Sequence, residues 1–315
     1  MDLTGVIEGV RAGQRRAIGR AISLVEGLGP DGRAIAAALH LHTGDALRVG
    51  VTGPPGVGKS SLIGALVAHL RGQGRTVAVL SVDPSSPFTR GAVLGDRIRL
   101  TEHFLDEGVF IRSMASRGHL GGLSEATADA VLVLDSAGFD VVLVETVGSG
   151  QNEIEVQALA ETVLLVLMPG AGDSIQALKA GLMEIPDIVV VNKADRPNAE
   201  ITRAEIEQAL TLVPAANRAI PIVMTQALDG AGVAALWDEV LAHREYLAEA
   251  GHLDARRRDG MGRQLRALAL DRLARRLDQA SDPGVVAGLI DEVLARRLDP
   301  AGAVDRLLER LETPT

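Results

Sequence analysis

One stretch constrains this chain more than any other: residues 53–61, Gly-Pro-Pro-Gly-Val-Gly-Lys-Ser-Ser. It fits the phosphate-loop pattern GxxxxGK[ST], with Gly53, Gly58, Lys59 and Ser60 at the fixed positions. The apolar run at 47–51 spells a strand before it, and 62–70 spells a helix after it. A chance glycine-rich turn would not need that context. Glycines lack Cβ, so the backbone can curl and aim successive N–H groups into one concavity. The helix that follows adds its positive dipole end. Lys59 is the residue expected to reach the β- and γ-phosphates, and Ser60 the one expected to hold Mg²⁺. Pro54, Pro55, Gly56, Val57 and Ser61 complete the expected cradle.

A phosphate loop needs a sheet behind it, and the rest of the pattern supplies one. Continuous apolar runs fall at 47–51, 77–82, 109–111, 141–144, 163–168, 188–191 and 220–224. Continuity, rather than alternation, marks strands buried on both faces. Helical patterns between them predict an α/β fold: a mostly parallel sheet flanked by helices, the P-loop NTPase fold. Helical extensions are expected at both ends. The expected division is 1–45, a helical extension; 46–242, the nucleotide domain; and 243–315, a helical arm. Ahead of the sheet, apolar residues at helical spacing predict one helix across 6–25, interleaved with Arg11, Arg15, Arg16 and Arg20. Residues 27–30 break it, and a second helix follows at 32–40. The arginines are read as a solvated face, with a partner surface as the other option.

Composition removes several function classes. Aromatics are 2% and the net charge is −9, which speak against base-stacking platforms and phosphate-backbone binders, so no nucleic-acid partner is expected. There is no cysteine, hence no disulfide, thiolate nucleophile or thiolate metal site. The start resembles no signal peptide, and no apolar run is long enough to span a membrane. A soluble, cytoplasmic protein is the expectation.

The remaining chemistry falls just past the apolar runs, where ligands of parallel sheets gather. Asp83 follows the second run and Asp96 lies in the loop beyond it; each is a candidate Mg²⁺ partner or, alternatively, a turn cap. In the glycine-rich segment 113–122, Arg117 and His119 are candidates for phosphate or partner contact. Glu145-Thr146-Val147-Gly148 has the layout of a GTPase second switch, with Glu145 for the metal's water shell and the Gly148 amide sensing the γ-phosphate. Gln151 is a candidate to orient water, but it does not directly follow the glycine, so slow intrinsic hydrolysis is expected. Asn192-Lys193-Ala194-Asp195 is NKxD, the guanine-reading signature. The Asp195 carboxylate can accept from guanine N1–H and the 2-amino group, a pair adenine lacks. Gln226 and Ala227 are expected at the base, Gln226 standing where GTPases usually carry serine.

Past Trp237 the chain turns rich in Arg, Glu and Asp, with leucines at helical intervals. Two final helices are expected at 285–298 and 301–311, either capping the nucleotide domain or forming a dimer arm. His243 and His252 are read as surface residues rather than metal ligands.

With these motifs in place the chain resembles the MeaB/ArgK-type GTPases, bacterial relatives of the methylmalonic aciduria type A protein. The stretches that carry the resemblance are 83–89 with 94–97, 116–122, 145–151, and 170–173 with Gln176 and Lys179. The resemblance implies that Ser60, Asp83, Asp96 and Glu145 surround Mg²⁺. It implies a third switch, with Asp173, Gln176 and Lys179 coupling the GTP/GDP site to a partner enzyme. It also implies homodimerisation through the C-terminal helices. Arg90 and Gln226 depart from the family pattern, which has Gly and Ser there. The partner so implied is an adenosylcobalamin-dependent acyl-CoA mutase, chiefly methylmalonyl-CoA mutase. The implied activity is GTP hydrolysis, slow alone and accelerated by the mutase, that gates cofactor loading. A nickel-inserting GTPase is disfavoured by the missing cysteines, and a P-loop kinase by NKxD.

Overall fold

The computed structural model describes residues 2–83, 102–115, 125–146, 152–170, 186–211, 218–249, 251–280 and 283–312. The seven apolar runs form seven strands: β1 (Leu47–Thr52), β2 (Val77–Asp83), β3 (Val109–Ala115), β4 (Val141–Thr146), β5 (Thr162–Leu167), β6 (Ile188–Asn192) and β7 (Ile222–Thr225). They make a single sheet in the order β3-β2-β4-β1-β5-β6-β7, and every pairing is parallel. Every residue of β4, β5 and β6 is buried, which explains runs without polar alternation. Between the strands come α4 (Lys59–Gly72), α5 (Glu125–Ser136), α6 (Asn152–Leu159) and α7 (Ala199–Leu210); α8 (Val233–Glu249) follows β7. The main core joins β1, β4, β5 and β6 to α4 and α8, whose Leu62, Leu66, Leu236 and Trp237 are fully or almost fully buried. Transfer of each such side chain out of water contributes roughly 1.5–3 kcal/mol.

The amino-terminal segment differs from expectation in one respect. It forms α1 (Leu3–Arg11), α2 (Arg15–Glu26) and α3 (Pro30–His40), so the helix expected across 6–25 is two helices. Gly13 adopts φ +69°, a left-handed conformation. Its N–H donates to Val10 O and that of Gln14 to Gly9 O, a Schellman stop that satisfies the last carbonyls of α1. The apolar spacing carries straight through this turn, so periodicity alone could not show it. Helix α2 buries Ile18, Ala21, Ile22 and Val25 and packs on α1, α3 and α5. Arg15, read as solvated, instead donates to the carbonyls of Asp106 (3.0 Å) and Val109 (2.6 Å), pinning α2 to the start of β3.

The chain divides into two compact units, Met1–Gln264 and Leu265–Thr315, and the division falls inside α9 (His252–Ala280). The second unit contains the end of α9 with α10 (Pro283–Leu294) and α11 (Pro300–Glu312), which pack on each other. Helix α10 stops short of 298 because Arg296 takes φ +57°. Asp299 then caps α11 through the Ala301 and Gly302 amides. No helix among the described residues is long and apolar enough to cross a membrane.

Candidate functional site

Because all strands are parallel, their carboxyl ends lie along one edge of the sheet. That edge carries the phosphate-loop pattern after β1, Glu145 in β4, Asn192 at the end of β6 and Gln226 after β7.

The loop's shape rests on Gly53. Its φ is +138°, and a Cβ there would lie 2.2 Å from the Val166 carbonyl oxygen of β5. Any side chain would push the loop off the sheet. Gly58 closes the loop as the N-cap of α4, so the helix's free N–H groups open toward the concavity. Lys59 is buried, and its Nζ donates to Gly53 O (2.7 Å) and Pro54 O (3.0 Å). Pro55 and Gly56 are exposed at the loop's crest, and Val57 is buried in the core beneath it.

Ser60 Oγ donates to Glu145 Oε1 at 2.8 Å. Residues 85 positions apart are thus brought together. Glu145, only 1% exposed, also accepts from Ser81 Oγ at 3.1 Å through Oε2. Ser81 is the residue that sequence reasoning missed. The available signal was a lone hydroxyl in the apolar run 77–82. Ser60 and Glu145 are hard oxygen donors of the kind Mg²⁺ takes, so the residues present fit that ion. Beside them Thr146 Oγ1 donates to Thr52 Oγ1 (3.1 Å), tying the ends of β4 and β1.

The NKxD segment is built into the same edge. Asn192 is buried; its Nδ2 donates to Val57 O (3.0 Å), and its Oδ1 accepts from Thr225 Oγ1 and the Ala227 N–H, both at 3.2 Å. One side chain therefore bolts the phosphate loop to the segment after β7. Lys193, at φ +58°, reaches Gly56 O with Nζ (2.7 Å). Asp195 is exposed just beyond. Gln226 meets Ala231 in an isolated bridge, its N–H donating to Ala231 O (2.9 Å). Its backbone therefore sets the turn that carries Ala227 to Asn192.

Several expected residues have no description. The backbone of Asp83 ends β2, but its side chain lies outside the described residues, as do Asp96, Arg117, His119, Gly148, Gln151, Asp173, Gln176 and Lys179. Arg90 lies there too.

His243, expected at the surface, is buried at the opposite edge of the sheet. Its Nδ1 lies 2.9 Å from Thr162 Oγ1 and its Nε2 3.4 Å from Asp187 Oδ1. Burial, partly countered by Asp187, pushes its pKa down to about 4. The sequence held a signal for this burial that went unread: His243 falls in step with Val233, Leu236, Trp237, Val240 and Leu247 on the buried stripe of α8.

The family model described as methylmalonyl-CoA mutase-associated GTPase MeaB matches residues 18–282. The chain belongs to the MeaB family. A GTPase-named protein of Pyrococcus horikoshii is 45% identical over 310 residues, 97% of this chain and 97% of that one. The mitochondrial methylmalonic aciduria type A homolog of Caenorhabditis elegans is 36% identical over 81% of this chain and 69% of its own length. The crystal structure of a LAO/AO transport system kinase superposes with a TM-score of 0.74 at 28% identity, covering 99% of this chain and 98% of that one. Membership in a GTPase family assigns guanine-nucleotide binding to this MeaB-family chain.

Proposed function

We propose that this MeaB-family chain is a GTP-hydrolysing chaperone of an adenosylcobalamin-dependent acyl-CoA mutase, with methylmalonyl-CoA mutase as the first candidate. It works in the cytoplasm, gates adenosylcobalamin loading, and protects or reactivates the mutase. The observation that carries this reading is the family match over 18–282, a span that contains every residue of the candidate site.

In this reading Lys59 exchanges the Gly53 and Pro54 carbonyls for the β- and γ-phosphates of GTP. Ser60 and Glu145 hold magnesium, with Asp83 and Asp96 contributing. Bound there, magnesium supplies charge neutralisation of the phosphate oxygens. Asp195 reads the guanine edge, while Asn192, Lys193, Gln226 and Ala227 keep the loop around the base in register. Gly148 senses the γ-phosphate and Gln151 orients water. Asp173, Gln176 and Lys179 relay the nucleotide state to the mutase. The γ-phosphate thus biases a two-state loop arrangement, and hydrolysis releases it.

A homodimer completes the proposal. The second unit exposes Leu270, Leu273, Ile290, Leu294, Val304 and Leu308, apolar surface of the sort that a helical interface covers. Sedimentation equilibrium is expected to give a dimer.

Calorimetry of the purified protein with Mg²⁺ tests the nucleotide reading. GTP is expected to be preferred over ATP by on the order of 10⁴-fold, because the wrong base leaves a carboxylate unpaired. ATP preference would overturn the reading in favour of a kinase. Asp195→Asn is expected to move preference toward xanthosine nucleotides. Single-turnover hydrolysis alone is expected on the order of 10⁻⁴–10⁻² s⁻¹, the range of unassisted GTPases. Added mutase is expected to raise it; indifference to every acyl-CoA mutase would remove the partner assignment.

A further inference from the structure

Ser81 is paired directly across the ladder with Glu145, in the register that joins β2 to β4. Its side chain is 4% exposed, and Ser60 is similarly buried. Three polar residues from three elements therefore meet where water hardly reaches: Ser60 from the start of α4, Ser81 from β2 and Glu145 from β4. A carboxylate is free to rotate about its last side-chain bond, and anchoring one oxygen fixes where the other points. Ser81 anchors Oε2, and Oε1 then faces Ser60 Oγ. Both anchoring strands lie inside the sheet, flanked on either side, so the backbone leaves this clamp little room to shift.

We propose that Ser81 is a positioning residue for the nucleotide-linked cation: its hydroxyl holds Glu145 in the orientation that meets Ser60, and so sets how strongly nucleotide binding depends on magnesium. The inference rests on the proposed roles of Ser60 and Glu145. Outer hydrogen-bond partners of a metal-directed carboxylate commonly govern metal affinity, because they fix the direction of its lone pairs before the ion arrives. Without the Ser81 hydroxyl, Oε2 loses that donor at a place solvent does not refill, and the direction of Oε1 toward Ser60 is held less tightly.

The experiment uses the full chain, a fluorescent GDP analogue and a magnesium titration starting from EDTA. Ser81→Ala is expected to raise the magnesium concentration for half-maximal tightening about tenfold, while affinity in EDTA stays within about twofold. Ser81→Thr keeps a hydroxyl on a strand that favours β-branching, and is expected to stay near the wild-type curve. Thermal melting in EDTA verifies that each variant folds. Equal weakening with and without magnesium would make Ser81 a packing residue and overturn the proposal, as would a threonine variant that behaves like alanine. Glu145→Gln separates the levels. A large shift in Glu145→Gln with none in Ser81→Ala sinks the Ser81 assignment alone. An unchanged curve in Glu145→Gln sinks the magnesium reading beneath it as well.

Discussion

The two edges of the sheet both bury carboxylates, and they treat them differently. At the carboxyl edge Glu145 is held by the hydroxyls of Ser60 and Ser81. At the amino edge Glu161 accepts from Arg257 (2.7 Å) and Arg48 (3.3 Å), and Asp187 from Arg256, through two bonds, and from the Val163 amide. A hydroxyl orients a carboxylate without cancelling its charge, whereas a guanidinium cancels it. The amino edge thus reads as joinery, fastening α9 and the helix–strand turns to the sheet. The carboxyl edge gathers a carboxylate, two serine hydroxyls and the amides at the start of α4 in one place. Burial of charge is common to both; the chemistry of the donor tells them apart.

Substitutions at each edge should therefore move different observables. The largest effect is expected from Lys59→Ala, which removes the cation meant for the phosphates. Nucleotide affinity should drop by about 3 kcal/mol or more, roughly two orders of magnitude, on the scale of charged hydrogen bonds. Melting temperature should change little by comparison. Retained tight GTP binding would break the contrast at its functional end. Arg256→Ala should do the reverse. Asp187 would keep the Val163 amide and His243 but lose its guanidinium. Stability should fall by about 2–3 kcal/mol in urea unfolding, the range for a partly buried charged pair, with GTP affinity unchanged.

A smaller effect sharpens the contrast through pH. His243 stays neutral in the fold down to about pH 4, whereas the unfolded chain protonates its imidazole near the ordinary value of 6.5. Below that value the unfolded state binds more protons, so stability present at neutral pH is lost as pH falls from 6.5 toward 4. The loss attributable to His243 by pH 5 should be about 1–2 kcal/mol. His243→Gln should flatten that part of the pH profile while leaving nucleotide binding in place. An unaltered profile in the variant would show that the imidazole is not titrating there.

Much of this molecule is legible in its sequence. Strands covered on both faces are apolar at most positions, so the runs at 47–51, 77–82, 141–144, 163–168 and 188–191 announced themselves, whereas β3, at the sheet edge, runs past 111 through Arg112 and Ser113 to Ala115. The phosphate loop and NKxD were equally plain, because their chemistry depends on residues adjacent in the chain. The turn at Gly13 was not, since the apolar spacing runs on through it. The burial of His243 was legible and overlooked, since it lies in step with Val233, Leu236, Trp237, Val240 and Leu247 along α8.

Local order alone determined the central strands, the phosphate cradle and the base-reading tetrapeptide, because backbone freedom and apolar runs are properties of neighbours. Strand order was decided in three dimensions: β4 inserts between β1 and β2, and only that placement brings Glu145 to Ser60 and Ser81. The same holds for Asn192, which reaches Val57 across 135 positions of chain. Contacts of that separation come from packing helices and strands into one close-fitting core, and a linear pattern holds no record of which strands become neighbours.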